Sequence, residues 1–321
     1  MQRIVFMGTP EFSVPSLEAL IQAGHEIVAV VTPPDKPAGR GQKLRACPVK
    51  AYATQRGLTI LQPEKLKDPL FIAQIQSLQP DLMVVVAFRM IPEAIWSLPK
   101  NGTFNLHSSL LPNYRGAAPM NHAIINGEKK TGVTTFLLNH KIDTGKILFT
   151  REIDIPEDMN VGALHDKLMH LGASLVVETA EALEKGTVTP IAQDKLEQES
   201  PLHKAPKFTK KDLAINWDRK AHEVYNFIRG LSPYPAAFTH LLSPTGETYL
   251  IKIFEASVVV TEEAHKKRKN KQVETDGKSF LHIGTHDGML KVLSLQQAGK
   301  KRMDVEAFLK GFRIHNDWMV S

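Results

Sequence analysis

At 321 residues the chain is longer than a single hydrophobic core usually supports, so two domains are expected. Its 42% hydrophobic and 23% charged residues describe an ordinary globular protein, with no apolar run near the roughly 20 residues a membrane span needs. The net charge of +6 is confined to the last third: residues 1–206 hold 21 Lys+Arg and 21 Asp+Glu, whereas residues 207–321 hold 19 and 13, a bias that points one end of the chain at a polyanion. Cys47 is the only cysteine, which excludes an internal disulfide and a thiolate metal cluster. A cytoplasmic protein without a metal is expected.

The first two-thirds alternate strand and helix signals, as in an α/β domain. Residues 3–7 form a short β-branched run ending at Gly8-Thr9-Pro10, read as a first strand and not as a leader segment. A helix follows, with Ser13 as its expected N-cap, Pro15 in the first turn and Gly24 just past its end. Strands are expected over 26–32, 58–61, 82–87, 103–106 and 132–138, with helices over 50–56, 69–77 and 120–126 between them. Residues 146–155 read as a hairpin element and 160–185 as a long helix stopped by Gly186. The aperiodic stretch 189–206 reads as a linker between a domain over 1–188 and a second over 207–321. In that second part a helix over 219–229 precedes the rigid turn Ser232-Pro233-Tyr234-Pro235. Strands at 237–242, 249–260, 280–283 and 290–295 and a closing helix at 305–311 describe a small β-barrel, with a basic turn at Lys266-Lys267-Arg268-Lys269.

The chemistry concentrates in Asn105-Leu106-His107-Ser108-Ser109-Leu110-Leu111-Pro112. Asn105 and His107 lie two apart on a strand, so their side chains leave by one face, at the strand end where open α/β sheets bind ligands. An amide donor beside an imidazole can hold a developing oxyanion and move a proton. Asp143, in Asp143-Thr144-Gly145 after a later strand, can orient the imidazole or relay a proton. A strand-end Asn or His, taken singly, also serves as a turn former. A second feature is the loop 33–50, where Lys36, Arg40, Lys43, Arg45 and Lys50 face the single Asp35. Its four Pro and two Gly argue against a regular strand or helix, and its charge suits nucleic-acid phosphates. Neither a P-loop nor a dinucleotide fingerprint is present, since Gly39-Arg40-Gly41 lacks the Lys-Ser/Thr ending and Gly8-Thr9-Pro10 is not a G-x-G-x-x-G turn.

The Asn105–Pro112 motif, Arg115-Gly116-Ala117-Ala118-Pro119 and Asp143-Thr144-Gly145, in that order, resemble the 10-formyltetrahydrofolate-dependent transformylase family. Gly8-Thr9-Pro10-Glu11-Phe12, the basic loop from Pro34 to Leu44, and Leu293-Ser294-Leu295-Gln296-Gln297-Ala298-Gly299-Lys300-Lys301 resemble its branch acting on methionyl-tRNA. The resemblance implies a Rossmann-like formyltransferase domain followed by a smaller C-terminal, OB-like β-barrel that binds tRNA. It implies 10-formyltetrahydrofolate as co-substrate, initiator methionyl-tRNA as partner and a monomer. Asn105, His107 and Asp143 would be catalytic; Ser109, Leu110, Leu111 and Pro112 would meet folate; Lys36, Arg40, Lys43 and Arg45 would meet tRNA. One departure is Val86-Ala87-Phe88-Arg89-Met90-Ile91-Pro92, where the family commonly has Val-Ala-Tyr-Gly and one more residue; Arg89 is read as solvent-exposed. A transformylase for another amine would share the three motifs without the basic loop and barrel. A formyl-folate hydrolase would need no basic domain, and a non-catalytic RNA-binding module would leave the three motifs unexplained.

Overall fold

The structure, a computed structural model, describes residues 1–38, 43–196, 201–259 and 270–321. They form two compact units, the first of Met1–Gly116, Thr131–Ile153 and His165–Lys204, the second of Ala117–Lys130, Asp154–Leu164 and Ala205–Ser321. Residues 189–196 and 201–204, expected within a linker, belong to the first unit.

In chain order the elements begin β1 (Arg3–Gly8), α1 (Val14–Gln22), β2 (Glu26–Val31), β3 (Lys36–Ala38), β4 (Lys43–Arg45), α2 (Pro48–Gln55) and β5 (Ile60–Leu61). There follow α3 (Pro69–Ser77), β6 (Leu82–Val86), α4 (Glu93–Trp96), β7 (Thr103–His107), β8 (Arg115–Gly116), α5 (Pro119–Ile125), β9 (Lys130–Leu137), β10 (Ile147–Asp154) and α6 (Val161–Lys185). The seven-stranded sheet runs β10-β9-β7-β6-β1-β2-β5. Its strands from β5 to β7 are parallel, and β9 runs antiparallel to β7. The chain walks outward from β1 to β5 and then recrosses to β6, so strand order reverses between β1 and β6. In such sheets a ligand crevice opens beyond the C-terminal strand ends at that reversal. All five residues of β6 are buried, as a parallel strand covered on both faces requires.

Two local expectations need correction. Ser13 precedes α1 but does not cap it: its buried hydroxyl donates instead to the Val86 carbonyl, tying the loop after β1 to the end of β6. The basic loop contains regular structure, because β3 and β4 pair antiparallel with Lys36 opposite Arg45 and Pro37 opposite Leu44. Both strands of a two-stranded ribbon are edges, the setting where a strand tolerates proline. Asp35 anchors its base, accepting from Lys50 at 2.6 Å and from Gln62 at 3.0 Å. The Lys50 ammonium holds the Asp35 carboxyl below the usual carboxylate range.

β11 (Lys204–Ala205) begins in the first unit and ends in the second, which then carries α7 (Ala221–Leu231), β12 (Ala237–Leu242), β13 (Thr248–Val258), β14 (Val273–Thr275), β15 (Leu281–Gly284), β16 (Met289–Gln297), β17 (Met303–Asp304), α8 (Val305–Gly311) and β18 (Met319–Val320). Its antiparallel sheet runs β14-β15-β16-β13-β12-β18, with β17 also on β16. A bridge between Gln272 and Met319 brings the two ends of that order together, making a nearly closed barrel. Closure removes the unpaired edges that would otherwise invite aggregation. Trp217, fully buried inside, satisfies its indole N–H on the Thr239 hydroxyl at 2.9 Å. The basic turn at 266–269 lies outside the described residues.

Candidate active site

β7 delivers Asn105 and His107 to one face of the sheet, because side chains alternate along a strand. Leu106, between them, faces the other way and meets α6 where Gly172 leaves room only for hydrogen; a Cβ there would lie 2.6 Å from Leu106 Cδ2. Among the described residues nothing accepts from or donates to the Asn105 carboxamide. A half-buried amide with unspent N–H groups at the ligand end of a parallel sheet can receive negative charge developing on an acyl oxygen.

His107 is buried, and its Nε2 lies 3.0 Å from the Tyr114 carbonyl. A carbonyl only accepts, so this nitrogen carries the proton and donates. The other nitrogen, Nδ1, is then the basic one, and it lies 3.9 Å from Asp143 Oδ2. The Tyr114 carbonyl therefore fixes the tautomer and orients the ring, whereas the sequence offered Asp143 for orienting the imidazole. At 3.9 Å the carboxylate makes no hydrogen bond but attracts an imidazolium once Nδ1 takes a proton. Asp143 Oδ2 itself accepts the Gly116 N–H at 2.9 Å. Gly116 has φ +132°, which glycine adopts without penalty, whereas Asp143, at φ +53°, holds a backbone conformation that L side chains rarely adopt.

Ser109, Leu110, Leu111 and Pro112 are occupied by the turn itself. The Ser109 hydroxyl donates to the Asn113 carbonyl at 2.7 Å, Leu111 sits in a small core with Phe136 and Ile147, and Pro112 is buried. Leu110 covers Gly132, where an added Cβ would come 2.6 Å from its Cδ2. The side chains of Ser109 and Leu111 thus have no free surface to offer a ligand, and any such contact falls to the backbone. Thr134, opposite His107 on β9, braces this turn: its hydroxyl donates to the Ser109 carbonyl at 2.7 Å and accepts the Leu111 N–H at 3.2 Å. Tyr114 and Thr134 carry no sequence signal of their own; only the fold brings them to His107.

Beyond β1 and β6, where strand order reverses, lies a cavity of about 440 Å³ whose lining includes Thr9, Pro34, Lys36, Phe88 and Arg89. Arg89 is not solvent-exposed as expected. Its guanidinium donates to the Pro63 and Glu64 carbonyls and lies over the Phe88 ring, and burial lowers its pKa. Of the expected nucleic-acid contacts, Lys36 and Arg45 are exposed on the ribbon and Lys43 begins β4, while Arg40 lies outside the described residues.

The strand-end amide, the imidazole and the neighbouring carboxylate on a Rossmann-like sheet, with a barrel beyond, define a protein class. Residues 2–180 match the formyl transferase family and residues 207–313 its C-terminal domain, so the chain belongs to the formyl transferase family. Among its relatives, methionyl-tRNA formyltransferase of Bacteroides thetaiotaomicron is 49% identical over 319 residues, spanning 99% of this chain and 98% of that one. That of Phocaeicola vulgatus is 51% identical over 317 residues, spanning 98% and 97%. The fold also matches solved structures at low identity. A HypX from Aquifex aeolicus in complex with tetrahydrofolic acid has a TM-score of 0.63 at 19% identity, over 98% of this chain and 48% of that one. WlaRD, a sugar 3N-formyl transferase, has a TM-score of 0.64 at 18% identity, over 94% and 99%.

Proposed function

We propose that the chain transfers the formyl group of 10-formyltetrahydrofolate to the α-amine of methionine on initiator methionyl-tRNA, the reaction of a methionyl-tRNA formyltransferase. Near-full-length similarity to relatives of that name supports the reaction. The observation supporting the site is the Asn105 carboxamide, without a hydrogen-bond partner among the described residues, beside a buried His107 whose basic Nδ1 faces Asp143.

The folate supplies a formyl group activated on nitrogen. Asn105 donates to the formyl oxygen as it gains charge, a contribution of roughly 2.7–4 kcal/mol by comparison with other oxyanion donors. The reaction makes one C–N bond and breaks another; the amine loses a proton and the departing nitrogen gains one. His107 Nδ1 can accept and return that proton, with Asp143 stabilising the cationic ring, an effect of about 10²–10⁴ in rate. The α-amine titrates near 7.7–8.0 in peptides and lower when its carboxyl is esterified, so its lone pair is available without a strong base. Main-chain groups of 109–112 meet the folate; Lys36, Arg40, Lys43 and Arg45 meet tRNA phosphates, helped by the positive charge of residues 207–321. The protein acts as a cytoplasmic monomer needing no metal.

The deciding experiment supplies 10-formyltetrahydrofolate and charged initiator tRNA and looks for formylmethionine on the tRNA. Formate released without formylmethionine would identify a hydrolase. Transfer to a free amino-sugar nucleotide in preference to tRNA would identify a different transformylase.

A further inference from the structure

Gln193 lies in the stretch after α6 that has no sequence periodicity, yet it is only 5% exposed. Its Nε2 donates to the carbonyls of Asp143 at 3.0 Å and Gly145 at 2.8 Å. Its Oε1 accepts from Arg115 Nε at 3.0 Å and from Arg115 Nη2. A carboxamide has two N–H donors and two acceptor lone pairs, and here all four are used. The assignment has no alternative, because carbonyls only accept and a guanidinium only donates. A neighbouring backbone bridge between Ile191 and Ile147 holds the segment in place. The loop it grips has no slack at Gly145, where a Cβ would come 1.6 Å from the Leu137 carbonyl oxygen. The residue after Arg115, Gly116, gives its N–H to the Asp143 carboxylate. One buried side chain thus joins the backbone that carries Asp143 to the strand that holds its carboxylate.

We infer that Gln193 is a positioning residue for formyl transfer, acting through Asp143 by fixing the loop 143–145 against Arg115. The inference rests on the reading of Asp143 as part of the chemistry. A fully satisfied buried polar node has one low-energy arrangement, so losing half its bonds frees the loop. A shift near 1 Å in a group that handles the reacting atoms costs on the order of 100-fold in rate. Gln193→Glu is close to isosteric and still accepts from Arg115, but it turns an anion toward two carbonyl oxygens. Gln193→Met keeps the length and removes every hydrogen bond.

The test measures steady-state formylation by full-length wild type, Gln193→Glu, Gln193→Met, Asp143→Asn and the Gln193→Glu/Asp143→Asn double variant, with circular dichroism as the check of folding. If only one Gln193 variant folds, that one decides. The expected result is a kcat lowered roughly 10- to 100-fold with both KM values within about twofold of wild type. The double variant should be no slower than Asp143→Asn alone, because Gln193 has nothing left to position. Losses that multiply in the double variant, or a rise in KM at unchanged kcat, would overturn the inference. Wild-type turnover in the Gln193 variants beside a crippled Asp143→Asn would sink it and leave the catalytic reading standing. Wild-type turnover in Asp143→Asn would sink both.

Discussion

Replacing Thr134 with valine isolates the brace behind the His107 turn. The two side chains have nearly the same shape, so the change opens no cavity; it removes only the hydroxyl. Thr134 is fully buried, and its Oγ1 serves two backbone groups, the Ser109 carbonyl at 2.7 Å and the Leu111 N–H at 3.2 Å. Both lose their partner where water has no access. Leaving a buried polar group unsatisfied costs about 1–3 kcal/mol, so the pair predicts about 2–6 kcal/mol of local destabilisation. The assay is hydrogen exchange of the segment 109–114, where even 2 kcal/mol accelerates exchange by about 30-fold when exchange proceeds through opening of this turn. The same turn carries the Tyr114 carbonyl that holds His107, so kcat should fall by about tenfold or more. Unchanged exchange in 109–114, together with a global stability within about 0.5 kcal/mol of wild type, would refute the assignment of Thr134 as the brace.

Alanine at Asn105, His107 or Asp143 should each lower kcat at least about 100-fold with the fold intact, and combinations should fall far short of the product of single losses; near-wild-type turnover in a single variant would remove that residue from the mechanism. In the barrel, Asp276 accepts from the hydroxyl and N–H of Ser279 and the N–H of Lys278, which hold its carboxyl well below its ordinary value of 3.8. A depressed folded-state value means this stabilisation is complete above about pH 4 and disappears as the pH falls through the folded value. Asp276→Ala should therefore destabilise the protein near pH 7, with the difference from wild type shrinking in strong acid; a difference constant across pH in chemical denaturation would count against it. Arg45→Ala should lower the log–log salt slope of tRNA binding by about one unit if that exposed side chain meets one phosphate; an unchanged slope would place the contact elsewhere on the ribbon.

What was legible in the sequence is what neighbouring residues decide among themselves. The apolar run at β6 announces a strand buried on both faces, and the spacing of Asn105 and His107 puts them on one face of β7. Gly186, at φ +63°, ends α6 where the helix pattern stops. These signals repeat every two or 3.6 residues and need no knowledge of the rest of the chain. The hydrogen bonds that make a site from those residues span longer separations and leave no period. The Tyr114 carbonyl accepts the His107 N–H seven residues away, Thr134 reaches Ser109 across 25, and Gln193 reaches Asp143 across 50. Barrel closure between Gln272 and Met319 is of the same kind. The β3–β4 ribbon was hidden for a related reason: proline argues against strands in general, and only tertiary structure decides that a particular strand is an edge. Local chain geometry thus determined which elements form and which way Asn105 and His107 face. The tautomer of His107 and the grip on Asp143 waited for the fold, because a buried carbonyl or carboxamide finds its partner only once distant segments have been brought within about 3 Å.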